Sequence, residues 1–353
     1  MAYTTVNKSS DNFNTKLYTG NGTTNHAITG VGFQPDWTWL KKRSNTDDNI
    51  LQDVVRTATK YLISNSNAAE ATYAEGFKSF DSDGFTLGNA NNTNQNTHTF
   101  VSWNWKAGGT ASSNSDGTIA SSVSVNTAAG FSIVGYAGNA TAGATVGHGL
   151  GVAPSVVIGK NRDASSNSWA IYHKSIGTNL VFFDGTDAAA SYSTIYNNTA
   201  PSNQVVTLGS GTNVNANGQN IILYCFAEKP GFSKFGSYIG NGYTNGTFVY
   251  TGFKPAYVLV KRTDSATGGS WIVQDNKRGD NVRNPVDLSL SPTNNQTESD
   301  WGTAYDCDYL SNGFKWRYNG AGGYNNTSGA TYVFMAFAEE PLVGTNNVPA
   351  TAR

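Results

Sequence analysis

One short pattern occurs three times in this chain and constrains its fold more than any other feature. Each copy has a Gly-Asn turn, then a Gly-x-x-Pro sequence whose proline lies about 15 residues after the turn glycine, then an apolar run that ends in basic residues. The copies are Gly20-Asn21 with Pro35, Gly138-Asn139 with Pro154, and Gly240-Asn241 with Pro255. A pattern repeated in this way indicates three copies of one structural unit.

The repeat divides the chain into three units. A chain of 353 residues exceeds the usual size of one domain, which is about 100–150 residues. We predict an N-terminal arm over residues 1–13, unit 1 over 14–108, a linker over 109–128, unit 2 over 129–230, unit 3 over 231–342 and a C-terminal tail over 343–353. The linker is small and polar, and an alternative interpretation is an extended strand near residues 118–125 that packs on a neighbour.

The residue pattern favours an all-β fold. Short runs of Val, Ile, Thr, Tyr, Phe and Trp alternate with Gly and Asn turns, although a short helix over residues 54–63 also fits a period of about 3.6 residues. Units 2 and 3 close on a long strand that is apolar on both faces, which is typical of a strand at the centre of a sandwich or under a neighbouring domain. We therefore predict three tandem antiparallel β-sandwiches rather than a single solenoid.

Charge and motif content argue against several function classes. The formal net charge is −1 and no basic run occurs, so we expect no nucleic-acid partner. No apolar run approaches the roughly 20 residues that cross a bilayer, and the first residues lack the apolar segment of a secretory signal. The Gly-Asn turns lead into strands rather than helices, so we interpret them as hairpins, not phosphate loops, and expect no cofactor. Cys225 and Cys307 are interpreted as buried thiols.

Five stretches resemble a family of virion proteins from tailed phages of marine bacteria, including cyanophages and pelagiphages. They are Gly-Phe-Gln-Pro-Asp-Trp-Thr-Trp at 32–39, Ser-Phe-Asp-Ser-Asp-Gly-Phe-Thr-Leu-Gly at 79–88, Trp-Asn-Trp-Lys-Ala-Gly-Gly at 103–109, Val-Gly-His-Gly-Leu-Gly-Val-Ala-Pro at 146–154 and Pro-Leu-Val-Gly-Thr-Asn-Asn-Val-Pro-Ala-Thr-Ala-Arg at 341–353. Members of this family are described as tail-fibre or structural proteins. The resemblance implies jelly-roll domains similar to the concanavalin-A-like lectins and glucanases, and it carries no catalytic residues to this chain.

The resemblance implies a non-enzymatic structural protein of a virion, such as a tail fibre, an appendage or a surface-decorating protein. The implied partners are other virion proteins, further copies of this chain in a homotrimer, and a glycan on the host cell surface. Such a protein is assembled in the host cytoplasm, which agrees with the missing secretory signal. Two alternatives stay open at this point: a host-glycan-binding receptor module and a jelly-roll glycan hydrolase.

Candidate catalytic carboxylates are few. A jelly-roll glycosidase needs two carboxylates that flank the scissile bond, about 5–5.5 Å apart in retaining enzymes. The sequence contains no Glu-x-Asp-x-x-Glu run, and Glu298-Ser299-Asp300 is a single pair in a polar loop. We predict no catalytic residue.

Candidate metal ligands also lack a binding pattern. The possible calcium ligands are Asp81 with Asp83, and Asp306 with Asp308. A complete calcium site needs about six to eight oxygen ligands, and turn formation explains these aspartates more simply. The four histidines have no metal-ligand spacing. We predict no metal site, and whether either aspartate pair binds an ion stays open.

Aromatic residues in the loops of unit 3 are the best candidates for ligand binding. They are Trp301, Tyr305, Tyr318 and Tyr324, and they lie among Asn, Thr and Ser. Aromatic rings stack on the face of a sugar, and the polar neighbours suit its hydroxyl groups. Trp169 and Trp271, by contrast, occupy matching places in units 2 and 3 and are interpreted as core residues. Recognition is expected where the copies differ, in loops such as 184–193 and 291–308.

Overall fold

The computed structural model describes residues 4, 6–279, 284–300, 303–320 and 322–341, with side chains as far as residue 339. Over these residues the chain forms antiparallel sheets with a few helices of a single turn. The prediction of an all-β fold is confirmed. None of the described helices has the length and apolar character needed to span a bilayer.

Unit 1 forms a six-stranded and a three-stranded sheet, with orders β1-β9-β3-β4-β5-β6 and β2-β8-β7. Its elements are η1 (Ser9–Asp11), β1 (Phe13–Thr19), β2 (His26–Thr29), β3 (Trp37–Lys42), β4 (Ile50–Asp53), β5 (Lys60–Ile63), β6 (Ala71–Thr72), β7 (Phe77–Asp81), β8 (Gly84–Leu87), α1 (Asn91–Asn94) and β9 (Thr99–Trp105). Apolar side chains from both sheets, including Leu40 and Phe85, pack into one core between them. The alternative helix over residues 54–63 is absent, because turn residues lead directly into β5.

Unit 2 forms an eight-stranded sheet, β10-β11-β12-β19-β14-β15-β16-β17, and a two-stranded sheet, β13-β18. Its elements are β10 (Ser112–Asn114), β11 (Ser121–Asn126), β12 (Phe131–Ala137), β13 (Thr145–Gly147), β14 (Val156–Asn161), β15 (Ala170–His173), η2 (Lys174–Ile176), β16 (Asn179–Phe182), β17 (Ala190–Ser191), α2 (Ser193–Tyr196), β18 (Val205–Thr207), α3 (Thr212–Asn215) and β19 (Asn220–Phe226). The segment predicted as a linker, 109–128, therefore contributes β10 and β11 to the sheet of unit 2, in line with the alternative of an extended strand.

Unit 3 forms a four-stranded sheet, β20-β26-β22-β23, and a three-stranded sheet, β21-β25-β24. Its strands are β20 (Ser233–Ile239), β21 (Phe248–Tyr250), β22 (Phe253–Arg262), β23 (Ile272–Asp275), β24 (Cys307–Leu310), β25 (Gly313–Trp316) and β26 (Thr331–Pro341). As in the other units, the two sheets enclose an apolar core, here with Phe314 and Trp316. Cys225 and Cys307 are both buried as free thiols in the cores of units 2 and 3.

The prediction that the Gly-Asn turns are hairpins is wrong. In unit 1 the turn joins β1 to β2, but β1 pairs with β9 and β2 pairs with β8. The turns between β12 and β13 and between β20 and β21 behave in the same way. Each turn therefore carries the chain from the large sheet of its unit to the small one, and it needs partners other than a neighbouring strand.

A buried asparagine supplies those partners in every unit. In each unit the side-chain oxygen of this asparagine accepts the backbone N–H of the asparagine in the turn. The pairs are Asn94 with Asn21 at 3.0 Å, Asn215 with Asn139 at 2.9 Å and Asn326 with Asn241 at 3.0 Å. The Asn215 amide also donates to the carbonyls of Gly209 at 2.6 Å and Thr141 at 3.1 Å. A Cβ atom at Gly138 would lie 2.4 Å from the Ala216 carbonyl oxygen, so the close approach requires glycine.

The three units gather around one shared core. One face of each large sheet covers the core of its own unit, and the other face packs against the large sheets of the other two units. Trp37 of unit 1 stacks on Tyr224 of unit 2 at 4.5 Å between ring centroids, and Phe13 of unit 1 stacks on Phe337 of unit 3 at 5.1 Å. The closing strands β19 and β26 are apolar on both faces for this reason, as predicted.

Equivalent residues build all three contacts between units. A backbone N–H donates to a carbonyl from Glu70 to Arg162 at 2.7 Å, from Ala189 to Thr263 at 2.8 Å, and from Glu298 to Arg43 at 3.0 Å. These bonds join unit 1 to unit 2, unit 2 to unit 3, and unit 3 back to unit 1. Repeated heterologous contacts that close in this way form a ring with approximate three-fold symmetry. Whether each unit is a separately folding domain, with the predicted boundaries, stays a prediction.

A buried lysine crosses each interface of the ring. Lys41, Lys160 and Lys261 are fully buried, and burial lowers the pKa of each ammonium to about 8. Each ammonium donates to a carbonyl of another unit: Lys41 to Asn295 at 3.4 Å, Lys160 to Asn67 at 3.1 Å and Lys261 to Thr186 at 3.2 Å. The first lysine at the basic end of each repeated pattern therefore stabilises a contact between units of the ring and does not bind an anionic ligand.

The interface between units 1 and 2 contains a buried ion network, and the corresponding described residues between units 2 and 3 form no ion pair. Arg56 binds Asp53 of its own unit and Glu70 at 3.2 Å, and Glu70 binds Arg162 of unit 2 at 2.9 Å. At the interface of units 2 and 3 the corresponding residues are His173, Ile176, Ala189 and Thr263. His173 is fully buried and donates from Nε2 to the Phe334 carbonyl at 3.2 Å.

We expect Asn215→Ala to destabilise the protein by about 3 kcal/mol, because three hydrogen bonds are lost and main-chain groups are left unpaired. The midpoint of urea unfolding, followed by tryptophan fluorescence, measures the change. Asn217→Ala, at an exposed position of the same loop, is the matched control and should stay within about 0.5 kcal/mol of the parent. Equal midpoints for the two variants would contradict the role of Asn215.

We expect acid to weaken the protein through its buried histidines. Burial lowers the pKa of His173 to about 4 and also lowers the pKa of His148. Between about pH 6.5 and pH 4 His173 is protonated in the unfolded chain and neutral in the folded chain, so it lowers the free energy of unfolding by up to about 1.4 kcal/mol per pH unit as the pH falls. Urea titrations between pH 7 and pH 5 measure this slope. His173→Gln should reduce this slope by up to about 1.4 kcal/mol per pH unit, and an unchanged slope would show that His173 is not held neutral.

Candidate functional site

A cleft of about 230 Å³ opens in unit 3 beside the loop that follows β23. Its lining residues are Ser270, Trp271, Ile272, Ser289, Leu290, Ser291, Asn294, Gln296, Thr297, Tyr305 and Tyr324. None of these side chains carries a formal charge. The lining therefore combines aromatic and apolar surface with hydroxyl and amide groups.

Two tyrosines form the aromatic wall of the cleft. The rings of Tyr305 and Tyr324 lie 5.8 Å apart at an interplanar angle of 63°. Tyr305 is 7% exposed, and burial raises the pKa of its hydroxyl well above the usual range, so the group stays protonated at neutral pH. The main chain beside it is fixed, because Gln274 donates from Nε2 to the Tyr305 carbonyl at 2.6 Å. Tyr324 is half-buried and offers more of its surface to a ligand.

The polar loop of the cleft is held by unit 1. Asn49 donates from Nδ2 to the carbonyls of Ser291 at 3.1 Å and Asn294 at 2.9 Å. The Ser64 hydroxyl donates to the Pro292 carbonyl at 2.9 Å. The cleft thus lies at the seam between units 3 and 1, and closure of the ring positions its loop.

The structure brings together two of the four predicted sugar-binding residues. Tyr305 and Tyr324 line the cleft, and Tyr305 belongs to the loop 291–308 that the sequence analysis named for recognition. Tyr318 is half-buried and does not line the cleft, and its carbonyl accepts a hydrogen bond from Asn326 Nδ2 at 2.8 Å. Trp301 lies outside the residues that the structure describes.

Trp169 and Trp271 are core residues, as predicted. Both are fully buried, and their Nε1–H groups donate across the interfaces to the carbonyls of Ile63 and Phe182, each at 2.8 Å. Asn49 occupies the same place in unit 1 and was missed by the sequence analysis. An alignment of the three copies could have identified Asn49. Units 2 and 3 have a tryptophan at this position, so the polar side chain in unit 1 predicts a different contact there.

Glu298 has a structural role and no free carboxylate. Its oxygens accept from Arg43 at 2.9 Å and 2.7 Å and from Arg278 at 3.0 Å. Arg278 is fully buried and also binds Asp275 at 2.6 Å, which repeats the ion network of units 1 and 2. Asp300, the second member of the candidate pair, does not line the cleft. The lining residues that the structure describes therefore include no pair of carboxylates for glycoside hydrolysis.

The aspartates considered as calcium ligands bind protein groups in unit 1. Asp83 accepts the N–H groups of Gly30 at 2.9 Å and Gly32 at 2.7 Å, and these bonds lower the pKa of its carboxyl. Asp81 accepts from the Ser79 and Thr86 hydroxyls at 2.8 Å and 2.7 Å. In unit 3, Asp308 lies 3.5 Å from Arg317. Among the described residues no group of three or more His, Cys, Asp or Glu side chains is placed to hold a metal ion.

Comparison with protein families gives one match, which spans residues 8–341 and is described as a domain of unknown function, DUF7483. The chain belongs to the DUF7483 family. The match covers all three units of the ring, so the family model describes the complete repeat and not one sandwich. Comparison with curated proteins and with solved structures gives no match.

We expect Glu298→Gln to destabilise the protein by about 3 kcal/mol, because Arg278 and Arg43 lose a carboxylate at a largely buried site. The loop 291–298 should also exchange its amide hydrogens faster, since Glu298 ties it to unit 1. Urea unfolding and hydrogen–deuterium exchange measure the two effects. The control is Asp264→Asn, which breaks the more exposed pair with Arg262 and should cost about 1 kcal/mol or less. A Glu298 variant as stable as the control would contradict this assignment.

Proposed function

We propose that this protein is a non-enzymatic structural and binding protein whose cleft in unit 3 holds a neutral carbohydrate. The observation that carries the proposal is the lining of the cleft. Tyr305 and Tyr324 provide rings for the apolar face of a sugar, while Ser289, Asn294 and Gln296 supply uncharged donors and acceptors for its hydroxyls.

The size and charge of the cleft narrow the class of ligand. Pockets for drug-sized ligands have volumes of about 300–1,000 Å³, so 230 Å³ suits one or two sugar rings and not a long chain. None of the described lining side chains carries a positive charge that would favour a sulfated or carboxylated sugar. Arg43 and Arg278, which lie beside the end of the cleft loop at Glu298, are already bound to the Glu298 carboxylate.

The setting that we propose is a phage virion, and it rests on the sequence resemblance described above. A tail fibre, appendage or decorating protein needs a rigid body that contacts other virion proteins and the host surface. The closed ring with its shared core supplies such a body. A homotrimer, the oligomer that the resemblance implies, stays a prediction, since one chain already forms a closed three-fold arrangement by itself.

A glycan array with neutral and acidic bacterial surface oligosaccharides tests the proposed ligand class. The full-length protein should bind neutral glycans in preference to acidic ones. Tyr324→Ala should weaken binding about tenfold, because one stacked aromatic ring contributes roughly 0.5–1.5 kcal/mol. Tyr192→Ala, an exposed tyrosine in unit 2, is the control and should bind as the parent does.

The full-length protein and the glycans that it binds also test the enzymatic alternative. We expect no release of reducing sugar when the protein is incubated with any glycan that it binds. The proposed site would be contradicted if the protein bound only acidic glycans, or if the Tyr324→Ala variant bound as tightly as the parent. Sugar release would instead support the jelly-roll hydrolase.

A further inference from the structure

Unit 2 has a covering segment with no counterpart among the described residues of unit 3. In unit 2, β12 is flanked by β11, and the outer edge of β13 is bridged by Ile119. The equivalent strands of unit 3 are β20 and β21. In the part of the chain that the structure describes, each of them is the outermost strand of its sheet.

The cover in unit 2 is a short extended segment that crosses from one sheet to the other. Ile119 donates its N–H to the Thr145 carbonyl at 2.9 Å, and the Thr118 N–H donates to the Thr145 hydroxyl at 3.0 Å. The Ser121 hydroxyl then donates to the Gly147 carbonyl at 3.1 Å. The Ile119 side chain is 9% exposed and belongs to the core of unit 2, so the segment closes the open side of the sandwich.

Chain connectivity explains why unit 3 has no such segment. Unit 2 is preceded by the stretch 108–120, whereas β19 ends at Phe226 and β20 begins at Ser233. The short join forms a tight turn in which Lys229 bridges to Ser233, so the join leaves no residues to lie along the edge, and none of the other described residues does so. Unit 1 presents equivalent edges in β1 and β2.

The side chains at this edge are large and apolar only in unit 3. Ile239, Phe248 and Tyr250 are 61%, 45% and 56% exposed. The register of the strands shows that units 1 and 2 have small residues at these three positions. In the same order they are Ala137, Thr145 and Gly147 in unit 2, and Thr19, Ala27 and Thr29 in unit 1. Small residues at an edge expose little apolar surface to water, whereas neighbouring large apolar residues are typical of a contact surface.

We infer that the β20–β21 edge of unit 3 binds an extended, uncharged segment of another polypeptide, which adds to the edge as residues 118–121 do in unit 2. Backbone hydrogen bonds to the edge provide affinity, and one β-branched apolar side chain takes the place of Ile119. Phe248 and Tyr250 lie over the added segment and remove its apolar surface from water. The segment itself has small polar residues, since the cover of unit 2 reads Gly-Thr-Ile-Ala-Ser at 117–121.

Hydrogen–deuterium exchange of the full-length protein tests this inference, with a synthetic uncharged peptide of the sequence 117–124, capped at both ends, as the probe. At a peptide concentration of about 1 mM, the range expected for one short added strand, amide exchange in residues 237–239 and 247–251 should slow at least threefold. A peptide that carries Ile119→Asp should give no protection. Absence of protection with the parent peptide would overturn the inference.

The protein variant Phe248→Ala/Tyr250→Thr places the residues of unit 1 at the edge of unit 3. Its thermal midpoint should match the parent because both side chains are exposed, and its affinity for the peptide should fall about fivefold. Tyr192→Ala is the control and should bind normally. Equal protection in the double variant would overturn the role of these residues. Sedimentation that shows self-association, lost in the double variant, would assign the edge to a second copy and overturn the separate partner.

Discussion

Each large sheet of this protein is apolar on both faces, and the arrangement of the whole chain follows from covering the second face. The small sheet of a unit covers only one side. The other side exposes rings such as Trp37, Tyr224 and Phe337, and leaving each of them in water would cost roughly 1.5–3 kcal/mol. Three copies that turn these faces towards one another remove all three from water at once. Because the contacts are head-to-tail and close after three copies, no apolar sheet face is left for a fourth.

The features that the copies share maintain the ring, and the features that differ carry the candidate functions. The buried lysines, the asparagine clamps and the backbone bonds between units recur three times. The cleft depends on differences: Asn49 replaces a tryptophan, and Tyr305 and Tyr324 belong to loops of unit 3. The aromatic edge at Phe248 likewise has small residues in the other copies. A triplicated scaffold in which one copy is specialised accounts for both observations.

Much of the fold could be predicted from the sequence because its signals are local. Alternating apolar runs and turns indicate sandwiches, and the two-sided closing strands predict burial by a neighbour. Tyr305 and Tyr324 were selected as candidates by their polar surroundings in the sequence, and the structure places both in the lining of the cleft. The conserved spacing of Asn94, Asn215 and Asn326 before the closing strands was also present in the sequence, and aligning the three copies would have exposed these clamps.

Other features could not be predicted because they depend on residues far apart in the chain. Asn49 binds a carbonyl 245 residues away, and Trp103 binds Asp275 across 172 residues. No local pattern distinguishes a ring from a row of sandwiches. The Gly-Asn turns were misread for a related reason: the same dipeptide suits a hairpin or a crossing between sheets, and only the distant asparagine decides between them.

Differential scanning calorimetry of the full-length protein at neutral pH tests the shared core most directly. Since each unit would expose one face of its large sheet if it unfolded alone, the three units should melt together. The account predicts one transition in which the calorimetric and van't Hoff enthalpies agree. Three resolved transitions, each with its own enthalpy, would show that the units are stable separately and would contradict the account.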